Sequence, residues 1–333
     1  MVKIIPYSTS YFEGVIDVLQ YIWDANENCR SKRFLWEYCQ NPNSNEVLAV
    51  IAIDKNEKVV GFIGWVAGDI KTEDDNFCKV VRAADVVVNP SSRRQGVFEK
   101  MTIYSAEYLK EKKIHAIINL SANKYSIPGC KKLEWEDLSL FDIWYRINVF
   151  SLKKKRFIPS KINYKDSTIE IFNKIPSALV LPKQTTKRLS FVLTGKELMW
   201  LFEKPNVHHI GACSVNKSGI LTSLFILNET NNKYLLKYFY ASDSKIASRV
   251  FNEMTKRISY RFISVWAFAL PKEKRDLLRK LRFHSIGYKK LRKKPPVLIK
   301  TLLTSENGRE DWIMGGLDMR NIENWEINLI DAF

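Results

Sequence analysis

The chain repeats itself, and that narrows its possible folds more than any other feature. Phe34-Leu35-Trp36-Glu37-Tyr38-Cys39-Gln40-Asn41-Pro42 is echoed by Leu198-Met199-Trp200-Leu201-Phe202-Glu203-Lys204-Pro205. Each segment is followed by an apolar run, a polar turn and a second apolar run, the second turn being Asn216-Lys217-Ser218-Gly219. Further on, the strand-like stretch 234–240, a helical stretch around 246–260 and the β-branched run 262–269 restate the strand–helix–strand order of residues 79–120. Such self-similarity predicts a duplicated α/β unit. The expected divisions are residues 1–152, a basic connection at 153–187 carrying Pro159, Pro176 and Pro182, and a second unit with a tail at 188–333.

The periodicity of the first unit is explicit. Residues 3–7 read as a strand, and Ser8-Thr9-Ser10 then supplies helix-capping hydroxyls. Phe12, Val15, Ile16, Leu19, Ile22 and Trp23 fall on one helical face. A second helix over about 32–39 ends at Asn41-Pro42, because proline disfavours helix in the residue before it. Residues 47–53 and 59–66 form a hairpin about Asp54-Lys55-Asn56-Glu57, and 79–88 continues the sheet up to Asn89-Pro90. From Val97 a helix turns Met101, Ile103, Tyr104, Tyr108 and Leu109 inward, and 115–120 is a buried strand. A short helix reaching Trp135 and a strand at 140–149 complete a mixed α/β sheet.

Composition removes several function classes. Of 333 residues, 53 are Lys or Arg and 36 Asp or Glu, a net charge of +17. That field attracts anions. The densest basic runs, 153–156 and 289–294, lack the interleaved aromatics of single-strand nucleic-acid binders, so nucleic acid or an anionic membrane surface is a conceivable but unexpected partner. Five cysteines without a C-x-x-C pair and four scattered histidines argue against a disulfide framework and against a metal site. No apolar run is long enough to span a bilayer, and no export signal is evident, so a cytoplasmic protein is expected.

The chemistry is concentrated where a strand meets a helix through Arg93-Arg94-Gln95-Gly96-Val97-Phe98. The first turn of a helix exposes unpartnered N–H groups and the positive end of its dipole. Gly96 allows a left-handed turn, and two arginines add charge. The assembly is suited to a pyrophosphate. It contains neither the Gly-Lys-Ser/Thr of a nucleotide-hydrolysing loop nor the glycine pattern of a dinucleotide fold.

This segment resembles the R/Q-x-x-G-x-G/A motif of the GNAT N-acyltransferase superfamily, with Arg93, Gly96 and Phe98 on the motif positions and Phe98 replacing a small residue. Downstream, Asn123, Ser126, Cys130, Leu133, Glu134 and Trp135 are similar to the family pattern N-x-x-A-x-x-x-Y-x-x-L-G-F, with Cys130 at the tyrosine and Glu134 at the glycine. The resemblance covers residues 1 to about 150. It implies two tandem copies of the GNAT α/β fold, the second lacking the Arg-x-x-Gly loop. It also implies acetyl-CoA or another acyl-CoA as cosubstrate, held by Val86, Val87, Val88, Arg93, Arg94, Gln95, Gly96, Val97, Phe98 and Asn123, with no metal. Direct transfer to a small amine, such as an amino sugar, then needs a base, an oxyanion donor from the Val87 or Val88 amide, and a proton donor. Asp85 is the expected base or amine anchor, the alternative being that it pairs with Arg82 or marks the solvated end of its strand. Cys130 stands at the position of the family's proton-donating tyrosine, where a thiol could serve as catalytic donor, although a small buried core residue is the favoured reading. Trp36, Trp65 and Trp144 either line an acceptor pocket or pack in the core. Two other readings remain open at this point: a non-catalytic CoA-binding module with a basic docking face, and an aminoacyl or long-chain acyl transferase of related tandem fold.

Overall fold

The computed structural model describes residues 2–23, 26–72, 76–120, 122, 126–140, 142–148, 157–182, 187–230, 233–267, 270–285, 296–304 and 310–327. Among these, the first unit contributes β1 (Lys3–Pro6), α1 (Phe12–Leu19), α2 (Glu27–Phe34), β2 (Ala49–Ile53), β3 (Val59–Lys71), β4 (Phe77–Val88), α3 (Val97–Glu111), β5 (Ala116–Asn119), α4 (Ile127–Lys132), β6 (Glu136–Leu140) and β7 (Asp142–Ile147). There follow β8 (Ser160–Tyr164), β9 (Ser167–Phe172), β10 (Leu189–Phe191), α5 (Gly195–Phe202), β11 (His208–Asn216), β12 (Leu221–Thr230), β13 (Lys233–Ala241), α6 (Ser244–Lys256), β14 (Phe262–Ala267), α7 (Lys272–Lys280), β15 (His284–Ser285) and β16 (Pro296–Thr301). A small hairpin of β17 (Ile313–Met314) and β18 (Leu317–Asp318) precedes β19 (Trp325–Glu326).

Two large mixed sheets result, and they exchange strands. The first runs β1-β2-β3-β4-β5-β16-β6, with β10 and β19 at the far end of β3. The second runs β15-β7-β14-β13-β12-β11-β9-β8. β16, from the second half of the sequence, is inserted between β5 and β6, while β7, from the first half, lies between β14 and β15. The strand expected at 140–149 to complete the first unit is β7, and it lies in the second sheet, while β6 just before it ends the first. In both sheets the middle rung is parallel, β4 with β5 and β13 with β14, and an antiparallel strand donated by the other copy lies beside it.

Each sheet buries both faces. Val97, Met101 and Leu109 of α3 close one side of the first sheet, over Val50, Ile63, Val81 and Ile117. Val15, Ile16 and Leu19 of α1 close the other with Phe34 and Phe62. Strands buried on both faces read as continuous apolar runs rather than alternating ones, as in Ala49–Ile53, where every residue is buried. In the second sheet α6 and α7 bring Val250, Phe251, Leu277 and Leu278 onto Phe225, Leu236 and Ile263. The tail packs on the first sheet, where Trp325 is fully buried beside Ile70 and Leu189; Phe333 lies outside the described residues.

The two copies meet at the repeated tryptophans. Trp36 and Trp200 stack with ring centroids 4.6 Å apart and planes inclined by 10°. The Trp36 Nε1–H donates to the Trp200 carbonyl, and the Trp200 Nε1–H to the Trp36 carbonyl, each at 2.7 Å. Equivalent residues making reciprocal contacts are the mark of a two-fold interface, here internal to one chain. Because each sheet is completed by the other's strand, a fragment comprising residues 1–152 is expected to show no cooperative thermal transition by circular dichroism. Mixing it with a 153–333 fragment is expected to restore one.

Candidate active site

β4 outruns its parallel neighbour. The rungs Val80–Ala116, Val81–Ile117 and Arg82–Ile118 are the last between them, although β4 continues to Val88. Two residues beyond the final rung, the pairing with β3 slips: Trp65 faces Ala83 and Gly64 faces Asp85, which leaves Ala84 as the extra residue of a β-bulge. A bulge re-aims the side chains that follow it. After it the register is regular, and the Asn89 amide donates to the Val60 carbonyl at 2.8 Å. Alternation then turns the main chain of Val87 toward β3 and that of Val86 and Val88 into the splay. Of the Val87 and Val88 amides, that of Val88 thus faces the splay, together with that of Val86, and that of Val87 faces β3.

The splay opens a cleft of about 810 Å³ lined by Tyr21, Ile22, Ala83 to Val88, Arg93, Phe98, Asn119 and Ser126. Arg93 donates from Nε to the Val88 carbonyl at 3.0 Å. Arg94 and Gly96 both have positive φ, 63° and 73°, and α3 starts at Gly96 without any side-chain cap. A methyl group added at Gly96 would meet nothing within 4 Å, so the loop requires glycine for its backbone conformation and leaves the first turn of α3 open. Phe98 is accommodated because Gly129 of α4 has no side chain: a Cβ there would lie 2.5 Å from Phe98 Cε1. Glu134, in place of the motif glycine, nevertheless takes the left-handed φ of 62°.

The second copy has the same frame with a different end. β13 and β14 pair through Leu235–Ser264, and two residues on, Lys237 is the bulge residue between the Leu236–Leu227 and Tyr238–Ile226 pairs. Only Ser242 and Asp243 then separate β13 from α6. The Asp243 side chain accepts from the Lys245 amide at 2.6 Å and the Ile246 amide at 3.1 Å, and these bonds hold its carboxyl below the usual range. The chain's own carboxylate fills the anion position of that helix.

Asp85 is buried in the first copy, and it is not paired with Arg82 as the sequence allowed. Its Oδ1 accepts from Trp23 Nε1 at 3.0 Å and its Oδ2 from the Tyr38 hydroxyl at 2.7 Å. Burial without such donors would be costly. Tyr38 comes from a π-helical turn, Leu35–Cys39, where the expected second helix widens into an i→i+5 bond from the Gln40 amide to the Leu35 carbonyl. The turn buries three consecutive side chains, Trp36, Glu37 and Tyr38, which a regular helix face would not do. Glu37 is 1% exposed and bonded to Arg33 Nε at 3.1 Å, and the Arg33 guanidinium lies 4.1 Å over the Trp23 ring. Burial, then the charge of Asp85, push the Glu37 carboxyl up to about 7 against the pull of Arg33 and Lys204. Burial and the same carboxylates hold the Tyr38 hydroxyl well above its usual range.

Other expectations find different places. Cys130 is enclosed in the apolar cluster under α3, where burial raises its thiol to about 11. Asn123 lies outside the described residues. Gln95 is exposed, its amide bonded to the Ser91 carbonyl, and Val97 is a core residue. Of the three tryptophans, Trp36 joins the copies, Trp65 packs under α3 and Trp144 packs in the second sheet. Trp23, Glu37, Tyr38 and Asn119 escaped the sequence reading. Only Asn119 left a signal, as a polar residue interrupting the apolar run 116–120.

Residues 3–137 match the family model of the acetyltransferase (GNAT) domain, and this part of the chain is a GNAT domain. No curated protein matches the chain. Among solved structures, a conserved protein of unknown function from Enterococcus faecalis V583, described as a probable N-acyltransferase, superposes with a TM-score of 0.66 at 10% identity, over 91% of this chain and 72% of that one. A GCN5-related N-acetyltransferase from Anabaena variabilis gives 0.61 at 9% identity over 91% and 73%. A tandem GNAT protein from the clavulanic acid biosynthesis pathway gives 0.55 at 8% identity, over 92% of this chain and 100% of that one. The chain therefore has the tandem GNAT fold. No helix among the described residues is long and apolar enough to cross a membrane, and no group of His, Cys, Asp or Glu among them could hold a metal ion.

The Glu37 environment makes a direct prediction. With an ordinary carboxyl near 4.5 when unfolded and about 7 when folded, the folded chain holds a proton that the unfolded chain has lost in between. This stabilising contribution is complete below about 4.5 and is lost as pH rises through about 7. In thermal melts, Glu37→Gln is expected to gain on the wild type progressively across that window and to keep a constant difference above it.

Proposed function

We propose that the chain is an acyl-CoA-dependent N-acyltransferase, with an acetyl donor the best candidate, acting on a small primary amine. The observation that carries this is the coincidence, in one cleft, of an uncapped α3 turn, the splayed main chain of Val86 and Val88, and the doubly hydrogen-bonded carboxylate of Asp85. The uncapped first-turn amides of α3, with Arg93 and Arg94, suit the pyrophosphate of a coenzyme, and the splay suits an amide-bearing arm. A thioester of coenzyme A would supply the activated acyl group.

Asp85 keeps lone pairs beyond the two engaged by Trp23 and Tyr38, and with these it accepts a proton from the incoming ammonium. The freed amine attacks the thioester carbonyl. The Val86 or Val88 N–H then stabilises the oxyanion, the C–N bond forms, the C–S bond breaks, and the thiolate takes up the proton that the acylated nitrogen releases. The net charge of +17 favours an acceptor that also bears an anionic group, as amino-sugar phosphates do. In the second copy Asp243 occupies the position of the pyrophosphate, so that copy serves the first without binding coenzyme itself.

The test combines binding and turnover. Coenzyme A at a hundredfold excess over its Kd is expected to stabilise the protein by about 2.7 kcal/mol, and Arg93→Glu to abolish that shift. Against acetyl-CoA and a panel of glucosamine, glucosamine 6-phosphate, spermidine and phenethylamine, thiol release is expected with at least one amine. Asp85→Asn is expected to keep the coenzyme shift while losing about a hundredfold or more in turnover. A coenzyme shift with no turnover toward any amine or acyl donor would favour a binding module instead. Gly129→Ala, which drives Phe98 toward the cleft, is expected to weaken coenzyme binding about tenfold or more by calorimetric titration with little change in melting temperature.

A further inference from the structure

The second copy has lost its own cradle, yet it is pressed against the carboxylate cluster of the first. α5 carries Trp200 onto Trp36, and just beyond its end the Lys204 amide bonds to the Leu201 carbonyl at 3.3 Å. The Lys204 ammonium lies 5.0 Å over the Trp36 ring, and Trp36 directly precedes Glu37. Lys204 therefore enters the cluster from the second copy, whereas Arg33 enters from α2. The charged and titratable groups gathered there are Arg33, Glu37 and Tyr38 from the α2 and π-helical segment, Arg82 and Asp85 from β4, and Lys204. Burial lowers the Lys204 ammonium from its usual range, and the charges of Glu37 and Asp85 oppose that fall.

Burial and the neighbouring charge of Asp85 raise the proton affinity of Glu37, and cations offset that rise. Arg33 is 37% exposed, so solvent weakens its share. Lys204 is the cation supplied across the interface. We propose that Lys204 is a positioning residue of the first copy's acyl-transfer site: acting through Glu37, it sets the pH at which the carboxylate cluster can take the proton of an acceptor amine. This rests on the reading of Asp85 as proton acceptor. It assigns the second copy a task that its missing cradle leaves unexplained, the delivery of a desolvated positive charge at a fixed place.

Full-length Lys204→Met and Lys204→Arg decide the matter, with kcat/KM measured from pH 5.5 to 9 using acetyl-CoA and whichever amine of the panel turns over fastest. Lys204→Met is expected to move the acidic limb upward by about one pH unit, an approximately tenfold loss on that limb that vanishes at high pH. Lys204→Arg is expected to restore the wild-type limb. Superimposable limbs, or a uniform loss at every pH that arginine does not rescue, overturn the proposal. Thermal melts from pH 5 to 8 give an answer independent of turnover. The fall of stability with pH should extend to higher pH in Lys204→Met and vanish in Lys204→Met/Glu37→Gln, and unchanged melts overturn the coupling. Undiminished turnover in Asp85→Asn would sink the reading of Asp85 instead, and the melts would still decide whether Lys204 acts on Glu37.

Discussion

A strand that continues after its neighbour has ended leaves one edge of its main chain without a partner. Buried amides and carbonyls in that position must be satisfied by side chains, water or a ligand. In this protein β4 runs on from Arg82 to Val88 after β5 has left it, and the rest of the site is organised about that exposed edge. The bulge at Ala84 turns Asp85 to the α1–α2 side, where Trp23 and Tyr38 meet its two oxygens. The same edge delivers Val86 and Val88 to the cleft, and its end feeds the loop that opens α3. A bulge placed elsewhere would separate the carboxylate from the edge.

The duplication shows which parts of that arrangement are structural and which are chemical. Both copies keep the parallel rungs, the bulge two residues beyond them and the helix that follows. Those features hold a twisted mixed sheet together, whatever it binds. The long loop and the open helix start occur in the first copy, while in the second a two-residue connection ends in Asp243, whose carboxylate satisfies the helix amides internally. What the second copy retains is structural: it donates β16 to the first sheet, receives β7 in return, and presents Trp200 to Trp36. A unit so interleaved holds a half-buried lysine, Lys204, over the Trp36 ring of the other copy.

Much of this was legible along the chain. The order of strands and helices in residues 3–120 followed from apolar periodicity and from Pro42 and Pro90, because local sterics act on neighbours. The Arg93–Gly96 loop was legible for a similar reason, since a left-handed glycine ahead of a helix is a local requirement. The motif glycine replaced by Glu134 shows the limit of reading by residue type: the backbone kept the conformation while the side chain changed.

By itself, then, the sequence determined that an α/β unit occurs twice, that a glycine turn ahead of a helix lies at 93–98 and that one carboxylate, Asp85, sits on the strand leading to it. The tertiary structure alone decided what surrounds that carboxylate. Trp23 and Tyr38 are 62 and 47 residues away from it along the chain, and they reach it because a π-helical turn redirects the end of a helix. The tertiary structure also decided that strands 142–147 and 296–301 change places. A β-strand's pattern records that it is buried, not which sheet buries it: pairing is a main-chain interaction between distant segments, and the residues that would specify the partner lie on the partner.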